Sequence, residues 1–200
     1  QHAEAVEIYE EYRQRYPEGR HWPLATYQAG VCYSRLGRDG DAVDCWESLV
    51  ALYPSEPIAE KAWARAGDLY FRTGHYDDAK RCYEGLLANF SAGEGSALGS
   101  LRIAQCDFNA GRDKEALQGY SAVMAQYPHT MSAKEAERGM EMALYRLISE
   151  QRKAQKRVNA LKYNIIPSYQ KVIKRIAEAL EEEERNTLFQ IKILQESGRL

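Results

Sequence analysis

Small and aromatic side chains recur along this chain at a fixed interval. Ala5, Ala42, Ala79 and Ala116 follow one another every 37 residues, and each has an aromatic four residues on: Tyr9, Trp46, Tyr83 and Tyr120. Residues four apart share one face of a helix, so each pair predicts a helix whose small position admits a close neighbour. Glycines stand five residues before the last three alanines, at Gly37, Gly74 and Gly111. A glycine there can take the left-handed backbone geometry that ends a preceding helix. Twelve residues after the alanines come Pro17, Pro54, Ser91 and Pro128, and proline cannot continue a helix. The predicted unit is helix, tight turn, helix, loop, repeated along the chain.

The first helix of each unit has its own markers. Gly30 and Gly67 lie twelve residues before Ala42 and Ala79, with Tyr33 and Tyr70 three further on and Trp63 four before Gly67. This W-x3-G-x2-Y…G…A-x3-Y…P pattern resembles the tetratricopeptide repeat over about residues 3–148. The usual period of that family is about 34; the extra residues fall in loops such as Tyr53-Pro54-Ser55-Glu56-Pro57-Ile58-Ala59. Loops of this kind are similar to those of bacterial outer-membrane assembly lipoproteins and CpoB-type cell-division coordinators. The resemblance implies an all-α helical-hairpin solenoid of seven or eight antiparallel helices over residues 3–148. The third full repeat departs from the pattern, with Ala104 for the glycine and Asp107 for the tyrosine. Gln1 falls inside the second helix of a unit, so the natural array is expected to have been longer at that end.

Beyond residue 149 the grammar stops: Lys153 stands where a fifth alanine is due. Apolar residues run instead through Val158, Leu161, Ile165, Tyr169, Val172, Ile176 and Leu180, then Leu188 and Ile191. Steps of three and four predict one long helix, and 22 residues in six steps give a period of 3.67, which favours a straight or right-handed seam. Pro167 predicts a kink within it. The strings Arg157-Val158-Asn159-Ala160-Leu161, Ile165-Ile166-Pro167, Glu184-Arg185 and Phe189-Gln190-Ile191-Lys192 resemble the C-terminal helix of the V/A-type ATPase D-subunit over about residues 152–195. That resemblance implies a coiled-coil-like helix of a central rotor shaft, although the N-terminal helix it pairs with in that family is absent. The expected domains are therefore 1–149, a solenoid, and 150–200, a long helical segment, with a chimeric chain an open alternative.

Composition narrows the function. The 200 residues are 44% hydrophobic and 28% charged, with a net charge of -2, so the whole chain shows no bias towards nucleic acid. No apolar run approaches the roughly 20 residues of a membrane span. Residues 150–200 carry 11 Lys/Arg against 7 Asp/Glu, so the excess of acid lies before them. Cys45 and Cys82, like Cys32 and Cys106, occupy equivalent repeat positions and are read as packing residues. The histidines are scattered, so no metal site or other cofactor is expected. Gly93-Glu94-Gly95-Ser96-Ala97-Leu98-Gly99 has no preceding strand and no following Lys-Ser/Thr, so it is read as an inter-repeat loop rather than a phosphate cradle. Glu181 to Glu184 spread around a helix and read as solvated surface. No nucleophile–base or paired-carboxylate arrangement can be assembled, and no enzyme activity is expected. Unpaired cysteines and the missing leader favour the cytoplasm over the periplasm.

The remaining candidate is the groove that stacked hairpins line with their first helices. Repeat-equivalent positions there are Ser34, Phe71 and Phe108; Arg35, Arg72 and Asn109; and Arg38, His75 and Arg112, with Tyr27, Asp68 and Gln105 nearby. Aromatics beside arginines suit an extended or helical peptide of acidic character. The alternative is that the phenylalanines are half-buried packing and the arginines a solvated rim. The leading expectation is a non-catalytic protein-interaction scaffold with a protein or peptide partner. The rival is a structural stalk component, its 150–197 helix pairing with a second copy or a partner helix.

Overall fold

A computed structural model describes residues 1–90 and 94–196. The Ser91 position and Gly93 lie outside the described residues. The described chain is helical and contains no strand: α1 (His2–Arg15), α2 (Trp22–Arg35), α3 (Asp39–Leu52), α4 (Pro57–Arg72), α5 (Tyr76–Asn89), α6 (Glu94–Asn109), α7 (Asp113–Gln126) and α8 (Met131–Ala160) come first. A π-helical segment, Leu161–Ile165, and α9 (Ile166–Glu196) follow. The chain divides into two units, Gln1–Leu147 and Ile148–Leu200, and the division falls inside α8 with no break in the helix.

The first unit is a stack of helical hairpins. Its turns are set by glycine: Gly37, Gly74 and Gly111 have φ of 74°, 84° and 80°, a region closed to most side chains. After each one the backbone N–H of the next residue reaches back to close the helix, Arg38 to the Tyr33 carbonyl, His75 to Tyr70 and Arg112 to Asp107, at 2.9 Å each. Acidic residues then open the following helix, Asp39 and Asp41 in α3, Asp77 and Asp78 in α5, Asp113 and Glu115 in α7, where the helix dipole favours them. The second helices end one residue short of an aromatic, Tyr16, Tyr53, Phe90 or Tyr127, all with φ between −134° and −128°. Three of these precede proline, which disfavours helical geometry in the residue before it. Phe90 adopts the same conformation ahead of Ser91, so the aromatic anchor suffices without the imino acid.

Close approach inside the hairpins follows the small positions. Ala42, Ala79 and Ala116 are fully buried. A Cβ on Gly30 would lie 2.5 Å from the Trp46 ring, and one on Gly67 2.8 Å from the Tyr83 ring. The third full repeat keeps the contact by moving the glycine across it. With Ala104 on the first helix, Gly119 stands opposite, where an added Cβ would meet the Ala104 Cβ at 2.8 Å, and the Tyr120 ring fills the space over Gly139 of α8. The four cysteines are buried and free. Burial raises the thiols of Cys45 to about 11 and of Cys82 and Cys106 to about 12.

One expectation is corrected here. The glycine-rich run is not all loop: Glu94 to Gly99 form the first turns of α6. Gly99 is buried against Leu87, which a Cβ would meet at 3.1 Å, so packing has drawn a loop-like composition into a helix.

In the second unit, the N–H of Ile166 bonds the Leu161 carbonyl five residues back instead of the usual four. The widening sits just before Pro167, whose ring would otherwise press on the carbonyl four residues earlier. Val158, Leu161, Ile165, Tyr169, Val172, Ile176 and Leu180 are between 43% and 66% exposed.

Candidate functional site

The first helices of three successive hairpins enclose a cavity of about 380 Å³. It gathers Phe71 from α4, Arg102, Gln105, Phe108 and Asn109 from α6, and Glu135, Arg138 and Met142 from α8. Arg102 organises it. Its guanidinium carbon lies 5.6 Å from the centre of the Phe71 ring, and Nη1 donates to Gln105 Oε1 at 3.0 Å. Its Nε is buried without a hydrogen bond, with Asp68 Oδ1 at 3.9 Å. Asp68 is meanwhile engaged by the Tyr83 hydroxyl, which donates to it at 2.7 Å. Burial first, and that bond second, raise the Tyr83 phenol. The cavity therefore presents an oriented, partly exposed cation on an aromatic face, its buried Nε turned towards Asp68.

Phe108 is framed from the other side. The Arg146 guanidinium stacks 4.0 Å from its ring centre, while Nη2 donates to the Phe108 carbonyl at 2.5 Å. Arg146 Nε reaches both oxygens of buried Asp113 at 2.6 and 2.8 Å, and Nη2 closes a further short contact to Oδ1. Phe108 is thereby fixed as a wall of the cavity.

The other expected site residues have different surroundings. Tyr27 is half-buried and its carbonyl accepts from Trp46 Nε1 at 3.3 Å. Ser34 is half-buried and Arg35 exposed. Arg38 pairs with Asp41 at 2.7 Å and lies over the Tyr33 ring, and Arg72 faces Asp39 at 3.6 Å. His75 bonds the Thr73 hydroxyl, and Arg112 holds Asp107 and Asp77 at 2.9 and 2.7 Å. Arg38, His75 and Arg112 cap the second helices. Phe71, Gln105 and Phe108 thus meet in one cavity, and Asp68 lines its neighbour beside Arg102.

Arg102, Glu135, Arg138 and Met142 do not stand out in the sequence. The signal is present in the register: Met142 follows Gln105 by 37 residues, so continuing the repeat into α8 reaches it. The departures of the third repeat also have a structural account. Tyr33 donates to Glu10 and Tyr70 to Glu47, each 23 residues back. Asp107, in the next equivalent place, would face Glu84; it turns instead to Lys80 at 2.9 Å and to Arg112.

The tetratricopeptide repeat family model matches residues 24–55, 62–92 and 99–130. The chain carries tetratricopeptide repeats. A second model, that of the ATP synthase D-subunit, matches residues 121–196. The segment like the D-subunit therefore reaches back into α7, further than the 152–195 expected, and overlaps the last repeat. The V-type ATP synthase D-subunit of Thermotoga neapolitana is 49% identical over 57 residues, which cover 28% of this chain and 28% of that protein. The tetratricopeptide array resembles a Podosopora anserina putative kinesin light chain with TPR-like repeats at TM-score 0.58 and 18% identity, covering 82% of this chain and 89% of that one. It is also similar to PilW, a type IV pilus biogenesis factor (TM-score 0.54, 16% identity, 67% of this chain and 58% of that one). The first TPR of Spaghetti (RPAP3), solved with an HSP90 peptide, gives TM-score 0.50 at 20% identity over 62% of this chain and 93% of that one. These likenesses show a shared solenoid fold. No helix among the described residues is long and apolar enough to cross a membrane.

Proposed function

We propose that this chain is a non-catalytic interaction scaffold whose groove, lined by α4, α6 and α8, holds a partner peptide or helix of acidic character. The observation that carries the reading is Arg102, stacked on Phe71, braced by Gln105 and 35% exposed at the groove. Arg138 adds a second cation on the opposite wall. Two structural neighbours support the ligand class: the first TPR of Spaghetti is described bound to the HSP90 peptide SRMEEVD, and the second TPR domain of human RPAP3 in complex with the HSP70 peptide SGPTIEEVD. Both peptides are acidic at one end. Within this reading Asp68, Phe71, Gln105 and Phe108 belong to the site proper, and Tyr27, Ser34, Arg35, Arg38, Arg72, His75 and Arg112 to its margins. The inter-repeat loops favour a relative of the outer-membrane assembly and CpoB-type proteins.

The test is capture of binding proteins by the immobilised chain. A Phe71→Ala, Arg102→Gln double variant loses the captured partner while its melting curve stays near that of the wild type, and capture weakens as salt rises. Undiminished capture by the double variant refutes the groove as the site.

A second reading rests on the match to the ATP synthase D-subunit. In it, residues 150–196 act as a structural helix of a stalk, and the chain divides in function close to residue 149. Mixing the chain with the other stalk subunits of a V-type ATP synthase and looking for co-elution separates the two readings, since only the second expects a complex.

A further inference from the structure

In the second unit the charges are sorted by sign along the helix. Residues 152–175 hold eight Lys/Arg and no Asp/Glu, and residues 178–184 hold five Glu and no Lys/Arg. An exposed helix is supported by opposite charges three or four residues apart. Among the described residues of these two blocks, that contact occurs at their border alone, from Lys174 to Glu178 at 3.8 Å. The segregation therefore does little for the helix itself.

The apolar stripe that runs through both blocks has a symmetry of its own. Arg157, Leu161, Ile165 and Tyr169 follow one another at steps of four; after one step of three, Val172, Ile176, Leu180 and Glu184 do the same. Read from either end, the spacing is identical. The six apolar members are between 43% and 66% exposed, and the two residues that end the series carry opposite charge. Glu183 and Glu184 share a shallow hollow of the helix surface with Leu180 and Leu188, so these carboxylates stand on the side of the stripe.

We propose that this stripe is a self-complementary docking surface, and that its occupant is a second copy of the chain running antiparallel. Centred between Gln170 and Lys171, the pairing sets Leu161 against Leu180, Ile165 against Ile176 and Tyr169 against Val172 of the second copy, each contact being made twice. Arg157 then faces Glu184. The stretch from Glu178 to Glu184 lies along residues 157–163, where Lys162 adds a further cation. A parallel pair in register would set Arg157 on Arg157 and Glu184 on Glu184, so the charges that join one arrangement repel in the other. A polyanion such as nucleic acid answers the basic block alone and leaves the glutamates and the stripe without a role. The surface lies outside the groove, and its occupant does not depend on what the groove holds.

Sedimentation velocity of the full chain over a dilution series tests the pairing. Wild type is a dimer that dissociates on dilution. Arg157→Glu and Glu184→Arg each weaken it roughly 10-fold, since every reversal acts twice in the dimer, and the double reversal restores it. Orientation is read by mild oxidation of introduced cysteines, the four native ones being buried. A Leu161→Cys chain mixed with a Leu180→Cys chain, one of them tagged, cross-links to the other, while neither variant cross-links to itself. All four positions are exposed, so the variants keep the wild-type far-ultraviolet spectrum. A wild type that stays monomeric up to roughly 100 μM overturns the proposal, and if that monomer retards a DNA duplex the basic block serves a polyanion instead. Self-cross-linking of Leu161→Cys, or a double reversal no tighter than the single ones, overturns the antiparallel register.

Discussion

Gly119→Ala tests whether the third full repeat has moved its contact glycine from the first helix to the second. Glycine to alanine inside a helix ordinarily gains about 1 kcal/mol of propensity. Here the new Cβ would lie 2.8 Å from the Ala104 Cβ, inside the distance at which two carbons repel, and Ala104 is fully buried with nowhere to retreat. Overpacking of this kind costs roughly 1–3 kcal/mol, so the propensity gain is cancelled or exceeded, for a net loss of about 0–2 kcal/mol. The decisive quantity is the coupling. In Ala104→Gly, Gly119→Ala the glycine sits where the other repeats keep theirs, and the clash is gone. The double variant is then more stable than the sum of the two single changes by at least about 1 kcal/mol, well above the roughly 0.3–0.5 kcal/mol scatter of independent sites. Urea unfolding followed at 222 nm reads this as a midpoint shift of about 0.5 M per kcal/mol, for a slope near 2 kcal/mol/M. Additive effects would refute the exchange of roles between residues 104 and 119.

The remaining expectations are briefer. Ala42→Trp and Ala79→Trp each destabilise by roughly 1–3 kcal/mol or more, because both sites are fully buried where helices meet; unchanged melting would break the repeat alignment. Arg146→Met strands the Asp113 carboxylate in a buried position and lowers stability by roughly 1–3 kcal/mol, discounted for the partly exposed arginine, whereas Arg152→Met leaves melting unchanged. The folded thiols of Cys82 and Cys106 ionise near 12 against an ordinary value of 9.0. Folding therefore draws full support from them below about pH 9 and loses it as the pH rises towards 12, and at pH 8 iodoacetamide labels them only after denaturation. The exposed apolar side chains from Val158 to Leu180 favour pairing with a second copy, so light scattering shows a dimer for the full chain and a monomer for a truncation ending at Glu150.

The hairpin plan was legible because its determinants are local. A glycine at 37, 74 or 111 fixes the turn through its own backbone, and an alanine with an aromatic four residues later declares one helix face. The groove was legible only in part. Phe71 and Phe108 stood out by repetition, but Arg102 and Arg138 acquire meaning only when α4, α6 and α8 come together, and no spacing along one helix states which face of the next will oppose it. Composition misled at Gly99, since a glycine that admits the Leu87 side chain is spelled like a glycine of a loop. The stop in the repeat grammar after residue 149 leaves the backbone unmarked, since α8 runs through it; a helix needs only tolerable residues to continue.

The π turn at Leu161–Ile165 shifts the phase of the seam it interrupts. A carbonyl–amide closure over five residues absorbs one residue more than an α turn, so the 22 residues from Val158 to Leu180 wind as about 21 would in an uninterrupted helix. The change is local: on α9, Tyr169, Val172, Ile176 and Leu180 keep steps of 3, 4 and 4 and so the eleven-residue spacing. A helix packed along the stripe meets that one-residue change of phase between Leu161 and Ile165. Pro167, through the widening that precedes it, thus helps decide which helices can lie alongside.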